Sequence, residues 1–262
     1  MEKKFLKGNE AVAEAAILAG CRFFAGYPIT PQNEIPEYMA RRMPQVGGVF
    51  LQGEREVASV CMVYGAAAMG KLAMTSSSGP GISLKAEGIS TLAGAQLPAV
   101  VVNVMRGGPG LGTIQAAPSD YLHATKAMGH GGFRVLVLAP STVQEIVDLV
   151  FTAFEKADQY RMPAMMLSDG ILGQMMEPVT FPESAEIKAS GKPWAACGTG
   201  GKREHNIVNS LYLAPDQLEK TNFERFKRYE QIQQSEQHCE RFMTEDADVV
   251  VVAFGASARI AR

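Results

Sequence analysis

Short apolar segments alternate with segments of helical spacing along most of the chain, and this alternation constrains the fold more than any other feature. The apolar segments lie at residues 22–25, 49–51, 72–75, 99–105, 135–138 and 164–167. Between them, apolar residues recur at the spacing of helices packed on a core. Segment 99–105 is apolar except at Asn103, which is typical of a strand buried on both faces. The sequence therefore predicts an α/β fold, an open parallel sheet with helices on both faces.

The chain divides into three regions on this interpretation. Residues 1–182 contain the alternation and form the predicted α/β domain. Residues 183–245 begin as an extended linker rich in Gly, Lys, Ser and Pro and continue as an amphipathic helix, predicted at about residues 215–244. Residues 246–262 contain a strand predicted at 248–254, a glycine turn and one turn of helix. A parallel strand needs a neighbour, so we expect this region to be the start of a truncated second α/β domain.

Composition argues against several classes of protein. The formal net charge is −2, so there is no electrostatic reason to expect nucleic acid or an anionic membrane as a partner. No apolar run approaches the roughly 20 residues of a membrane-spanning helix, and we expect a cytoplasmic protein. The 4 cysteines are widely separated and form no Cys-x-x-Cys pair. We therefore predict neither a metal site nor an iron–sulfur cluster within this chain.

Polar and glycine-rich loops follow four of the apolar segments. They lie at residues 26–31, 52–56, 75–81 and 106–110. Because α/β sheets hold their ligands at the carboxyl ends of the strands, four such loops at one edge predict a binding site. Each loop taken alone has an ordinary explanation as well: residues 79–81 as a turn, Thr30 as a helix cap, and Glu56 as an acid at a helix N-terminus.

The combination of these loops resembles a known family. Residues 56–81 resemble the pyrimidine-binding domain of thiamine diphosphate enzymes, in which a Glu opens a helix, a Gly follows nine positions later, and a strand ends in a Gly-Pro-Gly loop. Glu56 and Gly65 match that spacing. The loops at 27–31 and 103–109 are similar to those of the α subunit of 2-oxoacid:ferredoxin oxidoreductases, with the 2-oxoisovalerate type most alike. The resemblance implies a thiamin diphosphate-binding fold, specifically its pyrimidine domain.

The resemblance assigns the catalytic role to Glu56. In such enzymes a carboxylic acid donates a proton to the far ring nitrogen of the cofactor's aminopyrimidine. That acid must be protonated near neutral pH, and the apolar neighbours Val57, Ala58 and Val60 favour a neutral carboxyl group. The spacing to Gly65 selects Glu56 rather than Glu54, which we expect on the surface or beside the pocket.

Substrate and cofactor contacts also follow from the resemblance. Thr30 would hydrogen-bond the keto or carboxylate oxygen of a 2-oxoacid, and Arg106 would bind the carboxylate through its guanidinium fork. Pro28 and Ile29 are expected to line the same substrate site. The remaining predicted cofactor-binding residues are Gly79, Pro80, Gly81, Gly107 and Gly108.

One motif of thiamine diphosphate enzymes is missing. They bind Mg²⁺ and the diphosphate with a Gly-Asp-Gly motif and a later Asn, and the nearest match here, residues 168–170, fits neither part. Asp169 is therefore interpreted as a strand-end turn residue. The resemblance then implies a β subunit that holds the Mg²⁺ and diphosphate, iron–sulfur clusters on partner subunits, and ferredoxin as electron acceptor. Gamma and ferredoxin-like delta subunits are further candidate partners.

The predicted function is one subunit of an enzyme, inactive without its partners. The enzyme would oxidatively decarboxylate a 2-oxoacid to acyl-CoA and CO₂ with thiamine diphosphate, coenzyme A and ferredoxin, as in anaerobic metabolism. No Lys or Arg lies between Arg106 and Lys126, whereas Leu111 and Ile114 could cover a branched side chain, so 2-oxoisovalerate is the predicted substrate.

Three alternatives remain open: a 2-oxoglutarate-specific α subunit, a non-redox thiamine diphosphate enzyme, and a non-catalytic nucleotide-binding module. The last ranks lowest because no Gly-x-Gly-x-x-Gly turn follows the first strand. His123 and His130 lie in a glycine-rich segment, where a lone histidine is more often structural. His130 is nevertheless a candidate for the pocket edge.

Overall fold

The computed structural model describes residues 3–126, 128–182 and 192–262, and a six-stranded parallel sheet forms its centre. The strands run in the order β3-β2-β4-β5-β7-β6, and a separate antiparallel pair joins β1 to β8. The strands are β1 Lys4–Lys7, β2 Phe23–Gly26, β3 Val49–Gln52, β4 Ala73–Ser77, β5 Ala99–Met105, β6 Leu136–Leu138, β7 Pro163–Asp169 and β8 Met176–Val179.

Helices cover both faces of this sheet, as predicted. The helices are α1 Gly8–Leu18, α2 Glu34–Arg42, α3 Glu56–Ala68, α4 Pro80–Gly94, α5 Tyr121–Thr125, α6 Val143–Tyr160, α7 Gly170–Gln174, α8 Pro215–Ser235 and α9 Gly255–Ala261. Helices α1, α2 and α6 share one apolar core, and α3 and α4 share the other. The open parallel α/β fold is therefore confirmed.

Strand β5 shows why the central segment is almost wholly apolar. Val100 and Val102 belong to the core beneath α1 and α6, whereas Val101 and Met105 belong to the core beneath α3 and α4. Alternate side chains of a strand point to opposite faces, so a strand covered on both faces needs apolar residues at successive positions.

The predicted helices differ from the observed ones mainly at their ends. Helix α2 begins at Glu34 rather than at Pro31, because the carbonyl oxygen of Pro31 accepts a hydrogen bond from the Asn9 side chain. Helix α4 begins earlier than predicted, at Pro80, a residue whose fixed φ suits the first turn of a helix. Helix α8 ends at Ser235, well before the predicted residue 244.

The strand predicted at residues 248–254 is not formed in this structure. These residues adopt no regular secondary structure, and the side chains of Val249 and Val252 are largely exposed. The prediction was wrong at the level of local structure because no described strand lies beside the segment to complete its hydrogen bonds. The second domain and the limits of the three regions stay predictions. The first part of the predicted linker, residues 183–191, lies outside the described residues, and residues 192–214 form neither helix nor strand.

None of the helices in the described part of the chain has the length and hydropathy of a membrane span.

Candidate functional site at the carboxyl edge of the sheet

Glu56 lies at the carboxyl edge of the sheet, where it opens helix α3. The residue is only 6 % exposed. Its carboxyl group packs against the backbone of Gly81, where an added Cβ would lie 2.8 Å from Glu56 Oε1 and would also overlap Ser77 Oγ. No residue that the structure describes donates a hydrogen bond to the Glu56 carboxyl oxygens. Glu54 is exposed, as predicted.

Several buried polar atoms near this edge have no hydrogen-bond partner among the described residues. They are the hydroxyls of Ser77 and Ser78 at the end of β4, Oδ1 of Asn103 on β5 and the hydroxyl of Ser168 on β7. A buried polar atom without a hydrogen bond costs about 1–3 kcal/mol, so the fold alone does not account for them. Their position at the strand ends is where α/β proteins bind ligands.

Arg106 follows β5 and is 8 % exposed. Its Nη1 donates to the carbonyl of Thr30 and its Nη2 to the carbonyl of Leu111, both at 2.9 Å, while Nε is buried without a partner. A guanidinium has five N–H donors, so Nε and one hydrogen on each Nη remain available to a ligand. Gly79 makes room for this group, since a Cβ there would lie 2.9 Å from Nε.

Two amide side chains donate hydrogen bonds to the backbone of the loop that contains Thr30. Asn9 Nδ2 donates to the carbonyl of Pro31 at 2.8 Å, and Gln32 Nε2 donates to the carbonyl of Tyr27 at 3.2 Å. The Thr30 side chain is exposed, and its hydroxyl accepts a hydrogen bond of 3.4 Å from Asn33. The loop therefore places the Thr30 backbone on Arg106 and leaves its hydroxyl open. Of the two other predicted substrate residues, Pro28 is exposed and Ile29 is half-buried.

Glu34 also stabilises the loop that contains Thr30. Burial alone would raise the pKa of its carboxyl group, but hydrogen bonds from Asn9, Gln174 and Lys7 outweigh burial and hold the pKa below its ordinary value. The carboxylate is thus ionised and fixes α1, α2 and α7 around the Thr30 loop.

The loop after Arg106 folds on its own backbone. Gly107 N donates to the carbonyl of Gln115 at 2.9 Å, and the Thr113 N–H donates to the carbonyl of Gly107 at 2.8 Å. Space around Gly108 is open. Leu111 and Ile114 are 79 % and 59 % exposed, and their cover over a branched substrate side chain stays a prediction. The close pairing within the loop turns these side chains outward.

Lys85 is a further residue of this region that the sequence does not predict. It is fully buried on α4, and its Nζ donates to Thr75 Oγ1 at 3.0 Å and to the carbonyl of Glu56 at 3.3 Å. Burial lowers the pKa of Lys85 to about 8, and the charge of Glu56 opposes that fall. The sequence feature that could have indicated its burial is its position on the apolar stripe of α4 with Ile82 and Ile89.

Residues 14–241 match the family described as "Pyruvate flavodoxin/ferredoxin oxidoreductase, thiamine diP-bdg". The chain belongs to this family. Ketoisovalerate oxidoreductase subunit VorB of Methanothermobacter thermautotrophicus is 50% identical over 262 residues, which are 100% of this chain and 74% of the relative. The 2-oxoglutarate synthase subunit KorA of Archaeoglobus fulgidus is 40% identical over 268 residues, covering 100% of this chain and 76% of the relative.

A solved structure of the family superposes on nearly the whole chain. The 2-oxoglutarate:ferredoxin oxidoreductase from Magnetococcus marinus, with 2-oxoglutarate, coenzyme A and succinyl-CoA bound, gives a TM-score of 0.85 at 28% identity. The match covers 99% of this chain and 50% of that chain, so the chain spans half the length of this structural relative. The relatives are subunits of oxidoreductases, which confirms the predicted family of 2-oxoacid:ferredoxin oxidoreductase subunits.

Asp169 has a structural role in this member of the family. It ends β7, and its Oδ1 accepts hydrogen bonds from the Ile171 and Leu172 N–H groups at 2.8 and 3.1 Å. Its Oδ2 accepts from the Ala256 N–H at 3.2 Å. The carboxylate therefore caps both α7 and α9, and the prediction of a strand-end turn residue is confirmed.

Neither His123 nor His130 makes a side-chain hydrogen bond with the described residues. His123 is half-buried and His130 is exposed, and the carbonyl of His130 accepts a hydrogen bond of 2.7 Å from Ser90. Over the ranges that the structure describes, no group of three or more His, Cys, Asp or Glu side chains is arranged to hold a metal ion. The place of His130 at the pocket edge stays a prediction.

Proposed function

We propose that this chain supplies the catalytic-acid half of a thiamine diphosphate site in an enzyme that oxidatively decarboxylates a branched-chain 2-oxoacid to acyl-CoA and CO₂. The observation that supports this most strongly is Glu56, a buried carboxyl group with no hydrogen bond from the described residues. The carboxyl oxygens are therefore available to a ligand. Membership of a thiamine diphosphate-binding family names that ligand.

The residues around Glu56 fit the aminopyrimidine half of the cofactor. Bound thiamine diphosphate supplies the carbon nucleophile that attacks the keto carbon of a 2-oxoacid. Glu56 would donate its proton to the far ring nitrogen of the pyrimidine, and the unpartnered hydroxyls of Ser77 and Ser78 would offer polar contacts nearby. Gly79, Pro80 and Gly81 would let the backbone approach the ring closely, as the crowding at Gly81 illustrates.

Arg106 and Thr30 would hold the substrate. The free Nε and Nη hydrogens of Arg106 can bind a carboxylate, and the open Thr30 hydroxyl can bind its keto oxygen. Pro28 and Ile29 would line this side of the site, and Gly107 and Gly108 would let the loop approach cofactor and substrate. Because two backbone carbonyls orient the guanidinium before substrate arrives, binding would cost little side-chain entropy.

Partner subunits would complete the site. We assign the Mg²⁺ and diphosphate to a β subunit, because residues 168–170 lack the motif that binds them and Asp169 caps two helices. Iron–sulfur clusters, ferredoxin and further gamma and delta subunits belong to the same proposal, as does a cytoplasmic location. The names of the relatives as subunits support the presence of partner subunits.

The substrate proposed is 2-oxoisovalerate, also called ketoisovalerate. Relatives that match the whole chain at 50% identity are named ketoisovalerate oxidoreductase subunits. Residues 107–125 include no Lys or Arg for a second carboxylate. The second candidate is 2-oxoglutarate, which is supported by KorA relatives of 40% to 45% identity and by the Magnetococcus marinus structure.

The test uses the chain assembled with its partner subunits, which are copurified from the native source. The rate of ferredoxin or viologen reduction gives kcat/KM for 2-oxoisovalerate, pyruvate and 2-oxoglutarate. We expect 2-oxoisovalerate and its branched relatives to be preferred. A clear preference for 2-oxoglutarate would replace the substrate while leaving the family chemistry in place, and no activity with any 2-oxoacid would overturn the proposed function.

A further inference from the structure

Lys85 is buried behind Glu56, between helix α3 and strand β4. Its ammonium group uses two of its three N–H donors, one on the Thr75 hydroxyl and one on the backbone carbonyl of Glu56. These bonds link α4 and β4 to the first turn of α3 at Glu56, the proposed catalytic acid. The backbone position of Glu56 therefore depends on Lys85.

The charge of Lys85 has no close counter-ion. Among the described residues it forms no ion pair within 4.0 Å, and its side chain is fully buried in the core. A buried ammonium without an ion pair destabilises a fold, and a side chain such as Met would fill a similar volume without that cost. Packing alone therefore gives no reason for a lysine at this position.

The neighbouring charged group is Glu56. On α3 it is the carboxylate that stabilises the Lys85 ammonium. Strand β4 contributes the Thr75 hydroxyl, and on α4 itself Glu87 is exposed. Glu56 is thus linked to Lys85 both through its backbone carbonyl and through its charge.

We propose that Lys85 is a positioning residue for Glu56, whose hydrogen bond to the Glu56 carbonyl holds the first turn of α3 in the place from which the carboxyl group would reach the cofactor. The proton donated would be that of the Glu56 carboxyl group, and Lys85 itself would transfer none. This inference rests on the proposed role of Glu56.

The first experiment compares Lys85→Met and Lys85→Gln with wild type in the assembled enzyme. Gln can still donate a hydrogen bond but has no charge, so the pair separates the two effects. We expect Lys85→Met to lower kcat with little change in KM for the 2-oxoacid, and Lys85→Gln to recover part of that loss, because the amide can still donate a hydrogen bond to the Glu56 carbonyl. The matched control is Ile89→Met, a buried residue one turn further along the same helix face, which should leave kcat unchanged.

The second experiment needs neither cofactor nor partner. The folded lysine loses its proton near pH 8, whereas the unfolded lysine keeps it to the ordinary value of 10.5. Wild type should therefore gain stability relative to Lys85→Met as the pH rises from about 8 to 10.5, measured by thermal unfolding of the chain. At neutral pH Lys85→Met should be at least as stable as wild type.

These outcomes separate the inference from the proposed function. Variants that lose stability but keep the wild-type kcat would show that Lys85 only supports the fold, and so overturn the inference. A stability difference between wild type and Lys85→Met that stays constant from about pH 8 to 10.5 would show that Lys85 is not a buried, charged group. A wild-type complex inactive with every 2-oxoacid would overturn the proposed function and this inference together.

Discussion

Glu56 and Asp169 are two carboxylic acids at the same edge of the same sheet, yet their surroundings are opposite. Both are buried, with 6 % and 3 % of the residue exposed, and both stand at the start of a helix. Asp169 accepts hydrogen bonds from three backbone N–H groups. Glu56 accepts none from the described residues and packs instead against Gly81. The difference separates an acid that stabilises the fold from one that is available to a ligand.

The comparison also distinguishes two roles that the Asp of residues 168–170 could have. An Asp between a strand and a helix suits either a metal site or an N-cap. Here both carboxylate oxygens are taken up by helix N-termini, so the fold itself accounts for the residue. At Glu56 the fold leaves the carboxyl group uncompensated.

The largest expected effect belongs to Glu56→Gln in the assembled enzyme. The amide can hydrogen-bond the ring nitrogen but cannot donate its proton reversibly, so kcat should fall by about 10²–10⁴, with the thermal stability of the chain retained. Steady-state kinetics and thermal unfolding measure the two quantities. The control is Glu54→Gln, since Glu54 is exposed. Wild-type turnover in Glu56→Gln would remove Glu56 from the mechanism.

Arg106→Ala is expected to have the next largest effect. Removing one partner of a buried charge pair typically costs about 2–5 kcal/mol. The value of kcat/KM for the 2-oxoacid should therefore fall by the factor that corresponds to this free energy, mainly through a higher KM. Arg106→Lys should recover little, because an ammonium cannot replace a guanidinium fork or bond both the Thr30 and Leu111 carbonyls. Wild-type kinetics in the lysine variant would exclude bidentate binding.

Asp169→Ala should affect stability rather than turnover. Loss of the caps on α7 and α9 should lower the free energy of unfolding by roughly 1–3 kcal/mol, as measured by urea denaturation. Asp169→Asn should lose less, because its remaining oxygen can still cap α7. If Asp169→Ala keeps the wild-type stability but has a lower kcat in the assembled enzyme, the structural role of Asp169 is contradicted.

The smallest effect is expected at Glu34, a second acid of the structural kind. Its pKa is lowered in the folded chain, so its contribution to stability is present above the unfolded value of 4.5 and is lost as the pH falls through the folded value. The wild-type advantage over Glu34→Gln should therefore be larger at pH 7 than at pH 3, by less than about 1 kcal/mol because the group is partly solvated. A wild-type stability advantage that grows as the pH falls would contradict the role of the Glu34 carboxylate in stabilising the Thr30 loop.

Periodicity was sufficient to predict the sheet, because the physical cause acts locally. A strand such as β5, covered on both faces, must be apolar at nearly every position, and Gly-Pro-Gly at residues 79–81 marks where β4 ends and α4 begins. The strand predicted at 248–254 failed for the complementary reason. Its apolar pattern is clear, but a strand forms only beside another strand, and pattern alone does not provide one.

The site was predictable as a set of loops but not in its electrostatics. Spacing and resemblance selected Glu56 and Arg106, and the structure brings Arg106 onto the Thr30 loop. Lys85 escapes such reasoning, because a lysine on a helix is ordinarily exposed and its burial depends on how α4 packs on α3. The outward direction of Leu111 likewise depends on hydrogen bonds within the loop rather than on residue type.

The central claim is that this chain holds the acid of a thiamine diphosphate site whose metal and diphosphate half lies on a partner. Isothermal titration calorimetry of thiamine diphosphate with Mg²⁺, on the isolated chain and on the assembled complex, tests it most directly. The account predicts weak or undetectable binding to the isolated chain and tight binding to the complex. Submicromolar binding by the chain alone would contradict it.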